Sequence, residues 1–291
     1  MNNNQTNEKV KKYKLAVIIG ESCRNTTENM DNIECFLDLF DVEYDIYACV
    51  DKPEELSAYK NIVSNVSFES VSDTPVVSKM EQTCGKYMHG ASWQFIKCNV
   101  AVQSIIESTH YTHMMKLRTD CVFRFPEMFS RMFPHSTNID ASHVNEMKNM
   151  FKQFLNVVYN NKSISIMGDK IALGEYNATK NWFENFIDPE CLQKMYAKPP
   201  NGPDHTAANK AWRYNKVPTA LQSPFQYGSL MWVPLQWYHL TWLTNADNTV
   251  KSKSERKGLS VGLRGSAAKV TRPINDWQHI MNVTKTVKKF I

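Results

Sequence analysis

The chain has 291 residues, a formal net charge of +5 and a hydrophobic content of 42%, which together are typical of a folded protein with a sizeable core. It contains no run of about 18 or more apolar residues, and its polar first residues lack the apolar segment of a secretory signal. These features disfavour a membrane-spanning, secreted or intrinsically disordered protein. We therefore expect a cytoplasmic protein in which residues 1–12 form a disordered N-terminus.

Positive charge is concentrated at the C-terminal end of the chain. Residues 246–291 hold ten Lys or Arg against three Asp or Glu, a surplus of seven that exceeds the net charge of +5. The preceding residues are therefore slightly acidic overall, so the basicity does not indicate nucleic-acid binding by the main part of the chain. We expect a single domain over residues 13–245 and a basic C-terminal extension over 246–291, which is either solvated or in peripheral contact with an anionic membrane surface.

The cysteines give no sign of a disulfide framework or a zinc site. There are seven of them, an odd number, and they form no Cys-x-x-Cys pair and have no His partner at zinc-ligand spacing. We therefore expect reduced and mostly buried thiols.

The first 120 residues alternate between strand and helix patterns. Apolar runs rich in β-branched residues predict strands, and apolar residues at helical spacing predict helices. The predicted strands are 13–20, 43–50, 65–71 and 111–117, and the predicted helices are 26–40, 54–63 and 91–108. Because βαβ units have right-handed crossovers, this order predicts an α/β fold with a mostly parallel, Rossmann-like central sheet flanked by helices on both faces.

The second half of the chain follows a less regular pattern. It predicts a helix over 143–161, two short strands around Gly168 within 163–174, and a helix over 177–187. The Trp, Tyr and Phe residues of 225–243 indicate either core packing at strand spacing or a surface that stacks on sugars and bases.

The end of the first predicted strand is a candidate binding position, because ligands of open α/β sheets bind beyond the carboxyl ends of the parallel strands. Gly20 ends this strand and lets the backbone turn and approach a ligand, while Glu21 and Arg24 could hold a base, a ribose or a phosphate. The alternative is a plain strand-to-helix turn in which Ser22 or Asn25 caps the helix.

The fourth predicted strand ends in the segment KLRTD, which contains Lys116, Arg118 and Asp120. A carboxylate just past a strand can bind a Mg²⁺ or Mn²⁺ ion that bridges two phosphates, and a neighbouring guanidinium can bind a phosphate or a sugar hydroxyl. The alternative is an ordinary strand end with solvated charges.

Several well-defined catalytic motifs are absent from the sequence. No G-x-G-x-x-G follows the first strand, and no G-x-x-x-x-G-K-[ST] occurs. The sequence also lacks H-E-x-x-H. A dinucleotide-dependent dehydrogenase and a P-loop nucleotidase are therefore disfavoured.

Four segments taken in order, IIGESCR, WQFIKCNVAVQSI, YTHMMKLRTD and IMGDKIALG, resemble the layout of nucleotide-sugar glycosyltransferases with the GT-A fold. The likeness is greatest to the bacterial and large-virus types used in surface-polysaccharide (lipopolysaccharide-type) synthesis. Those have K-x-R-[TSP]-D where others have D-x-D, followed by a G-D-x-x-x-x-G segment. The likeness covers residues 13–240 in order and spacing. It implies a GT-A-like domain that transfers a sugar from a nucleotide-diphosphate donor to a hydroxyl of a glycan or glycoconjugate acceptor.

The resemblance also implies roles for the strand-end residues. Asp120 corresponds to the last acid of the D-x-D element, a ligand of a divalent metal, Mn²⁺ or Mg²⁺, or of the donor ribose and phosphates. Arg118 stands in the place of the first acid, so metal dependence is left open, and this cation could itself neutralise part of the diphosphate. The residues expected to bind the donor are Gly20, Glu21, Arg24, Lys116, Arg118 and Asp120.

Two acidic positions are candidates for the catalytic base. The resemblance implies that Asp169 lies near the donor sugar or the acceptor, and the alternative is a β-hairpin with Asp in its turn. For Asp204 and His205 the resemblance implies an acceptor base or an additional metal ligand, and we assign the metal role to His205. The alternative for Asp204 is a helix N-cap. The sequence does not choose between Asp169 and Asp204 as the base.

Two further polar residues lie within predicted elements. Lys97 is in the middle of a helix, where it could point at phosphates, although a solvated helix face is the expected interpretation. His113 is inside a strand, and we expect it to be a hydrogen-bonded core residue and not a ligand.

Two functions from other classes stay open. A non-catalytic carbohydrate- or nucleotide-binding protein with a degenerate transferase fold is supported by Arg118 in place of an acid. A nucleic-acid-associated protein acting through the basic tail is the other. The slightly acidic main domain and the absence of RNA-binding motifs count against it, so we expect no nucleic-acid partner.

Overall fold

The computed structural model describes residues 13–20, 27–69, 78, 82, 90–105, 109–119, 122–167, 171–185, 188 and 275–291. Within these residues six strands form one sheet: β1 Lys14–Ile19, β2 Glu43–Val50, β3 Ile62–Ser67, β4 His113–Lys116, β5 Ile164–Met167 and β6 Ile171–Glu175. The predicted disordered segment 1–12, the aromatic segment 225–243 and the domain boundary after residue 245 lie outside the described residues.

The sheet has the strand order β3-β2-β1-β4-β6-β5. β3, β2, β1 and β4 pair in parallel, and β6 runs antiparallel to both β4 and β5. β5 therefore points the same way as β4, and of the six described strands β6 is the reversed one. The predicted α/β fold with a mostly parallel sheet is confirmed at this level, as a mixed six-stranded sheet flanked by helices.

Helices cover both faces of this sheet. They are α1 Thr27–Asp38, α2 Gly90–Gln103, α3 Phe125–Met132, α4 Ala141–Asn160, α5 Tyr176–Glu184 and α6 Asn275–Lys288. Successive side chains of a strand point to opposite faces. Leu15, Val17 and Ile19 of β1 therefore join a core with α1, α3, α4 and α6, whereas Ala16 and Ile18 join a core with α2 and α5. No helix in the described part of the chain combines the length and the apolar content needed to cross a lipid bilayer.

The buried stripe of α1 follows the helical spacing of its apolar residues. Ile33, Phe36 and Phe40 are fully buried. The ring of Phe36 stacks on that of Phe123 with centroids 3.6 Å apart and meets the ring of Phe151 edge-on. Packing of several aromatic rings contributes a large part of the hydrophobic stabilisation of this face. The predicted helix over 26–40 is therefore confirmed in type and in orientation.

The elements of the second half match their predicted types. β5 and β6 pair with each other, as expected of two short strands around Gly168. α4 begins at Ala141, two residues before the predicted start. Oδ1 of Asp140 accepts hydrogen bonds from the backbone N–H groups of Ser142 and His143, at 2.9 and 3.1 Å. This side-chain cap, and not the first apolar residue, sets the start of the helix.

The predicted helix over 54–63 is wrong. A single 3₁₀ turn occupies Pro53–Leu56, and β3 begins at Ile62 instead of residue 65. Asn61 adopts a positive φ of 60°, a left-handed backbone conformation that ends helical structure. The residues between the 3₁₀ turn and Asn61 form a turn that leads into β3.

The C-terminal helix α6 packs into the domain. Ile280 and Val287 are buried in the same core as α1 and α3. Nδ2 of Asn32 in α1 donates a hydrogen bond to Oγ1 of Thr284 at 2.9 Å. The solvated interpretation of the basic extension is therefore wrong for α6. Apolar residues at helical spacing give this helix a buried face, while lysines such as Lys285 are exposed on its other side.

Three of the cysteines lie within the described residues, and their state matches the expectation. Cys35, Cys49 and Cys98 are free and buried. Burial raises the pKa of the Cys49 thiol to about 12, so this group is a neutral thiol at neutral pH. These cysteines are packing residues of the two cores.

Candidate functional site

The crevice expected in an open α/β sheet lies between β1 and β4. The chain adds β2 and β3 on one side of β1 and then places β4 on the other side. The connections therefore diverge where β1 and β4 end, which is the position at which such sheets bind ligands. The backbone N–H of Leu117 donates to the carbonyl oxygen of Ile18 at 3.0 Å and holds the two strand ends side by side. We call the end of the sheet where β1 to β4 finish the carboxyl edge, and the opposite end the amino edge.

Gly20 follows β1 directly and lies against α2. A Cβ atom at this position would be 2.3 Å from the backbone nitrogen of Cys98 and 2.6 Å from its Sγ atom. Atoms in a packed interior do not come this close, so α2 can lie here because residue 20 is glycine. Within the described residues, the close approach that the sequence predicts at Gly20 is made to a helix.

Lys116 is the last residue of β4 and is 1% exposed. Its Nζ atom lies 5.6 Å from the centroid of the Phe95 ring in α2. A cation over an aromatic face recovers part of the free energy that the ammonium group loses when it is removed from water. The solvated strand end that was the alternative is therefore wrong for Lys116, whereas Arg118 is partly exposed.

Lys97 of α2 brings a second ammonium group to the carboxyl edge. It is 5% exposed, and its Nζ atom donates to Oδ1 of Asp51, the first residue after β2, at 2.5 Å. The same Nζ atom lies 4.9 Å from the centroid of the Phe68 ring. The expected solvated helix face is therefore wrong. Most of the residues around Lys97 in α2 are buried, so the circumference of the helix offers this side chain little contact with solvent.

One turn of α2 contacts the ends of three neighbouring strands. Phe95 faces the end of β4, Lys97 the end of β2, and Cys98 the end of β1. Helix packing, and not a loop, therefore fixes the positions of both ammonium groups relative to the sheet. Charges held on rigid elements need little reorganisation when a ligand binds.

The described side chains of the carboxyl edge suit an anion. Lys97 and Lys116 are buried, Arg118 is partly exposed, and Asp51 faces Lys97 with 43% of its side chain exposed. Electrostatic interactions are stronger in buried surroundings than in water. Ammonium and guanidinium groups make short, charge-assisted hydrogen bonds to phosphate oxygens. The arrangement is therefore suited to binding a phosphate or diphosphate and to stabilising negative charge that develops on it.

Neither of the expected metal ligands, Asp120 and His205, lies within the described residues. Among the described residues, no set of three or more His, Cys, Asp or Glu side chains could hold a metal ion. The carboxylate of Asp51 is engaged by Lys97, an arrangement that suits an anion better than a divalent cation. The remaining predicted site residues lie outside the described ranges, and they are Glu21, Arg24, Asp120, Asp169, Asp204 and His205.

Sequence reasoning considered Lys97 for phosphate binding but favoured a solvated position, and it did not identify Asp51 as a site residue. The segment WQFIKCNVAVQSI is apolar on most sides, which favours burial of any polar residue in it. Asn99 of the same segment is 2% exposed and donates from Nδ2 to the carbonyl oxygen of Phe183 at 2.7 Å. This pattern predicts burial of Lys97, but its pairing with Asp51 depends on where α2 crosses β2, which no local pattern specifies.

His113 begins β4 at the amino edge and is a core residue, as predicted. It is fully buried, its Nε2–H group donates to the carbonyl oxygen of Leu155 at 2.9 Å, and its Nδ1 atom lies 2.9 Å from Oγ1 of Thr112. Burial lowers the pKa of His113 to about 4, so the ring is uncharged at neutral pH. These contacts attach β4 to α4.

A network of polar groups lies at the same amino edge. The hydroxyl of Tyr111 donates to Oδ2 of Asp45 at 2.5 Å and lies 2.8 Å from the hydroxyl of Tyr47. Nζ of Lys14 is 2.7 Å from the same Asp45 oxygen. Burial, together with the hydrogen bond to Asp45, raises the pKa of Tyr111. The network therefore joins β1 and β2 to Tyr111, two residues before β4.

The functional interpretation depends on this geometry. No protein-family model, curated protein or solved structure matches the chain. A function is therefore inferred from the cationic carboxyl edge, its place between β1 and β4, and the sequence motifs with which those strands end.

Proposed function

We propose that the protein is a glycosyltransferase with a GT-A-like fold, which moves a sugar from a nucleotide-diphosphate donor to a hydroxyl group of a glycan or glycoconjugate. One observation carries the proposal: two buried ammonium groups, those of Lys97 and Lys116, lie at the carboxyl edge of a mostly parallel sheet. Ligands of α/β sheets bind at this edge. A diphosphate is a ligand whose charge such groups can offset.

The reaction requires stabilisation of a leaving group. The bond between the anomeric carbon of the donor sugar and the diphosphate oxygen breaks, and the diphosphate leaves with the bonding electrons. An acceptor hydroxyl oxygen forms the new bond to that carbon and loses its proton to a base. We assign Lys116 and Arg118 to the negative charge on the departing diphosphate, because they lie at the end of β4 beside the crevice. For a transfer with inversion, Asp169 or Asp204 is the proposed base.

The nucleoside part of the donor is assigned to the region beyond β1. Gly20 fixes the end of that strand against α2, and Glu21 and Arg24 follow it directly in the chain. Their carboxylate and guanidinium groups match ribose hydroxyls and phosphate oxygens. Asp120, just past β4, is assigned to the ribose and phosphates from the other side of the crevice.

A divalent ion, Mn²⁺ or Mg²⁺, belongs to the proposal through Asp120 and His205. When bound, such an ion would supply Lewis-acid stabilisation of the diphosphate. The described side chains of the carboxyl edge suit the diphosphate and not a divalent cation. The stabilisation of the leaving diphosphate derived above therefore comes from side-chain cations. The difference in donor affinity with and without added Mn²⁺ measures the contribution of the ion.

Thermal unfolding of the full-length protein tests the proposal. UDP-, GDP- and dTDP-sugars are added one at a time, with and without Mn²⁺. We expect at least one donor to raise Tm by several degrees, because a ligand at about 100 times its Kd stabilises the folded state by about 2.7 kcal/mol. A screen in which no nucleotide sugar raises Tm would show that the proposal is wrong.

A non-catalytic carbohydrate- or nucleotide-binding protein is the second candidate, and Arg118 in place of an acid favours it. Both candidates predict donor binding, but a transferase alone releases nucleoside diphosphate from the donor. Release is measured with the native protein and with Asp120→Asn. Slow donor hydrolysis that Asp120→Asn abolishes supports the transferase. Tight binding without hydrolysis or transfer in either protein supports the second candidate.

A further inference from the structure

We infer a second ligand site on the outer side of α2 and α5, in a groove that binds an uncharged saccharide. The groove has a volume of about 790 Å³, which is within the usual range for pockets that hold small molecules. It is separate from the proposed donor site, because its closed end lies at the amino edge of the sheet. It also goes beyond the proposed transferase activity, since saccharide binding here does not depend on that reaction.

The groove lies between the C-terminal half of α2 and the outer face of α5. These two helices form its walls, and residues 109–111 close the end between them. α5 starts at the amino edge because β6 is reversed, so that Glu175 pairs with His113 at the beginning of β4. The backbone N–H of Tyr176 donates to the carbonyl oxygen of Thr112 at 3.0 Å and fixes this end of α5.

The walls of the groove carry amide groups in an arrangement that suits hydroxyl ligands. Asn99 and Gln103 of α2 and Asn177 of α5 line it. A primary amide both donates and accepts hydrogen bonds, as a sugar hydroxyl does, so the exposed amides of Gln103 and Asn177 can each bond to one or two adjacent hydroxyl groups. Lys180 and Glu184 also line the groove, and their opposite charges leave it without a net charge from these two side chains.

An aromatic ring in the same groove offers a stacking surface. The ring of Tyr176 stacks on that of Tyr111, with centroids 6.2 Å apart and planes inclined by 20°, and both rings line the groove. Tyr111 is itself held by hydrogen bonds to Asp45 and Tyr47. The platform is therefore fixed before a ligand binds. The C–H faces of sugar rings pack well on aromatic rings that are held in this way.

The charges around the groove disfavour an anionic ligand. The N-terminal turn of α5 would ordinarily attract an anion, but Glu175 already occupies it. Its Oε2 atom accepts from the backbone N–H of Ala178 at 2.9 Å, and its Oε1 atom accepts from Nδ2 of Asn177 at 3.3 Å. On the wall of the groove, Glu184 offsets the charge of Lys180, so these two side chains provide no net positive charge to attract an anion. A neutral saccharide fits these groups better than a nucleotide or a sugar acid.

Saturation-transfer NMR and calorimetric titration of the full-length protein test the inference. The probes are three uncharged disaccharides, cellobiose, lactose and N,N′-diacetylchitobiose, with glucuronic acid and uridine as comparison ligands. We expect at least one disaccharide to bind. Tyr176→Ala should weaken it by roughly tenfold because the stacking surface is removed, whereas Tyr176→Phe keeps the ring and should stay within about twofold. Gln278→Ala, on the exposed side of α6, is the control and should leave binding unchanged.

Several results would overturn the inference. They are binding by none of the disaccharides, equal affinity in Tyr176→Ala, and tighter binding of glucuronic acid or uridine than of any disaccharide. Loss of disaccharide binding in Lys116→Met but not in Tyr176→Ala would assign the sugar to the proposed donor site instead. If Tyr176→Ala does not fold, Asn177→Ala replaces it, since Asn177 is exposed and its hydrogen bond to Glu175 is long, at 3.3 Å. That variant should weaken binding several-fold, and an unchanged affinity would reject the site. Donor-induced shifts in Tm are independent of these results, so failure here leaves the proposed transferase function untouched.

Discussion

The two edges of the sheet hold their buried charges differently. At the amino edge, the ion pair of Lys14 and Asp45 is joined by the hydroxyl of Tyr111, so opposite charges and polar groups meet within one network. At the carboxyl edge, Lys97 of α2 pairs with Asp51, and the buried ammonium group of Lys116 in β4 lies next to the Phe95 ring of α2. Similar residue types therefore occur at both edges in different electrostatic surroundings.

This difference separates stability from binding. A network in which charges are matched contributes to the free energy of unfolding, and removing one partner leaves the other group without compensation. At the carboxyl edge, Lys116 and Arg118 add cationic groups beside the ion pair of Lys97 and Asp51, and such groups suit an anionic ligand. Substitutions at the amino edge should therefore lower stability, and substitutions at the carboxyl edge should lower ligand affinity.

The largest expected effect is the loss of stability in acid caused by His113 at the amino edge. Burial lowers its pKa from 6.5 to about 4 in the folded protein. As the pH falls from about 6.5 towards 4, the unfolded chain gains a proton at this residue and the folded protein does not. The free energy of unfolding should therefore fall by about 3 kcal/mol across this window, and not further below it.

Urea denaturation of the native protein and of His113→Gln between pH 7 and pH 4 measures this effect. The variant should lose less stability on acidification, because glutamine does not titrate. His279→Gln, an exposed position on α6, is the control and should behave like the native protein. Equal acid sensitivity of the native protein and His113→Gln would contradict the assignment.

Lys116→Met tests the carboxyl edge. It removes the charge and keeps an unbranched side chain of similar length, so the fold should be retained. Affinity for the donor identified by thermal shift should fall by roughly a hundredfold, the usual loss for a hydrogen-bonded charge. Calorimetric titration measures the affinity, and Lys289→Met, exposed at the C-terminus, is the control. An unchanged donor affinity would remove Lys116 from the proposed site.

Asp45→Ala tests the amino edge in the opposite sense. The substitution deprives Lys14 and Tyr111 of their shared partner, and we expect the free energy of unfolding to fall by about 2 kcal/mol. Asp45→Asn retains an acceptor for the Tyr111 hydroxyl and should cost less. Donor affinity should be unchanged in both variants. If Asp45→Ala weakened the donor as strongly as Lys116→Met, the two edges would not be functionally separate.

The smallest expected effect, that of an exposed ion pair, provides a reference for the other three predictions. Lys288 of α6 and Asp31 of α1 form an ion pair between two helices, with side chains 34% and 40% exposed and a distance of 2.5 Å. Water screens such a pair, so Lys288→Met should change the free energy of unfolding by no more than about 0.5 kcal/mol. The change should disappear at high salt. A larger effect than that of Asp45→Ala would show that exposure does not rank these pairs.

The sequence predicted those parts of the fold that local patterns encode. β1 is a continuous apolar run because both of its faces are buried, and α1 has an apolar stripe because one of its faces is buried. His113 was predictable as a core residue because it lies in an apolar strand. In each case a pattern of residues close together in the chain predicted the structure of that same short segment.

The features that the sequence did not predict depend on contacts between distant segments. The partner of Lys97 is 46 positions away, and it follows from where α2 crosses the sheet. β6 is reversed because the chain returns beside β4 in the opposite direction, and no local residue pattern encodes that direction. The burial of Ile280 in α6 was hidden by the surrounding lysines, although its helical spacing with Val287 was a readable signal.

The contact between residues 20 and 98 limits how this chain can vary in evolution. The nearest atom to a Cβ at position 20 belongs to the backbone of Cys98 and not to its thiol. No substitution at position 98 can therefore make room, and glycine at position 20 is fixed for as long as α2 lies where it does. A divergent sequence with a larger residue after its first strand must have moved this helix, and with it Phe95 and Lys97.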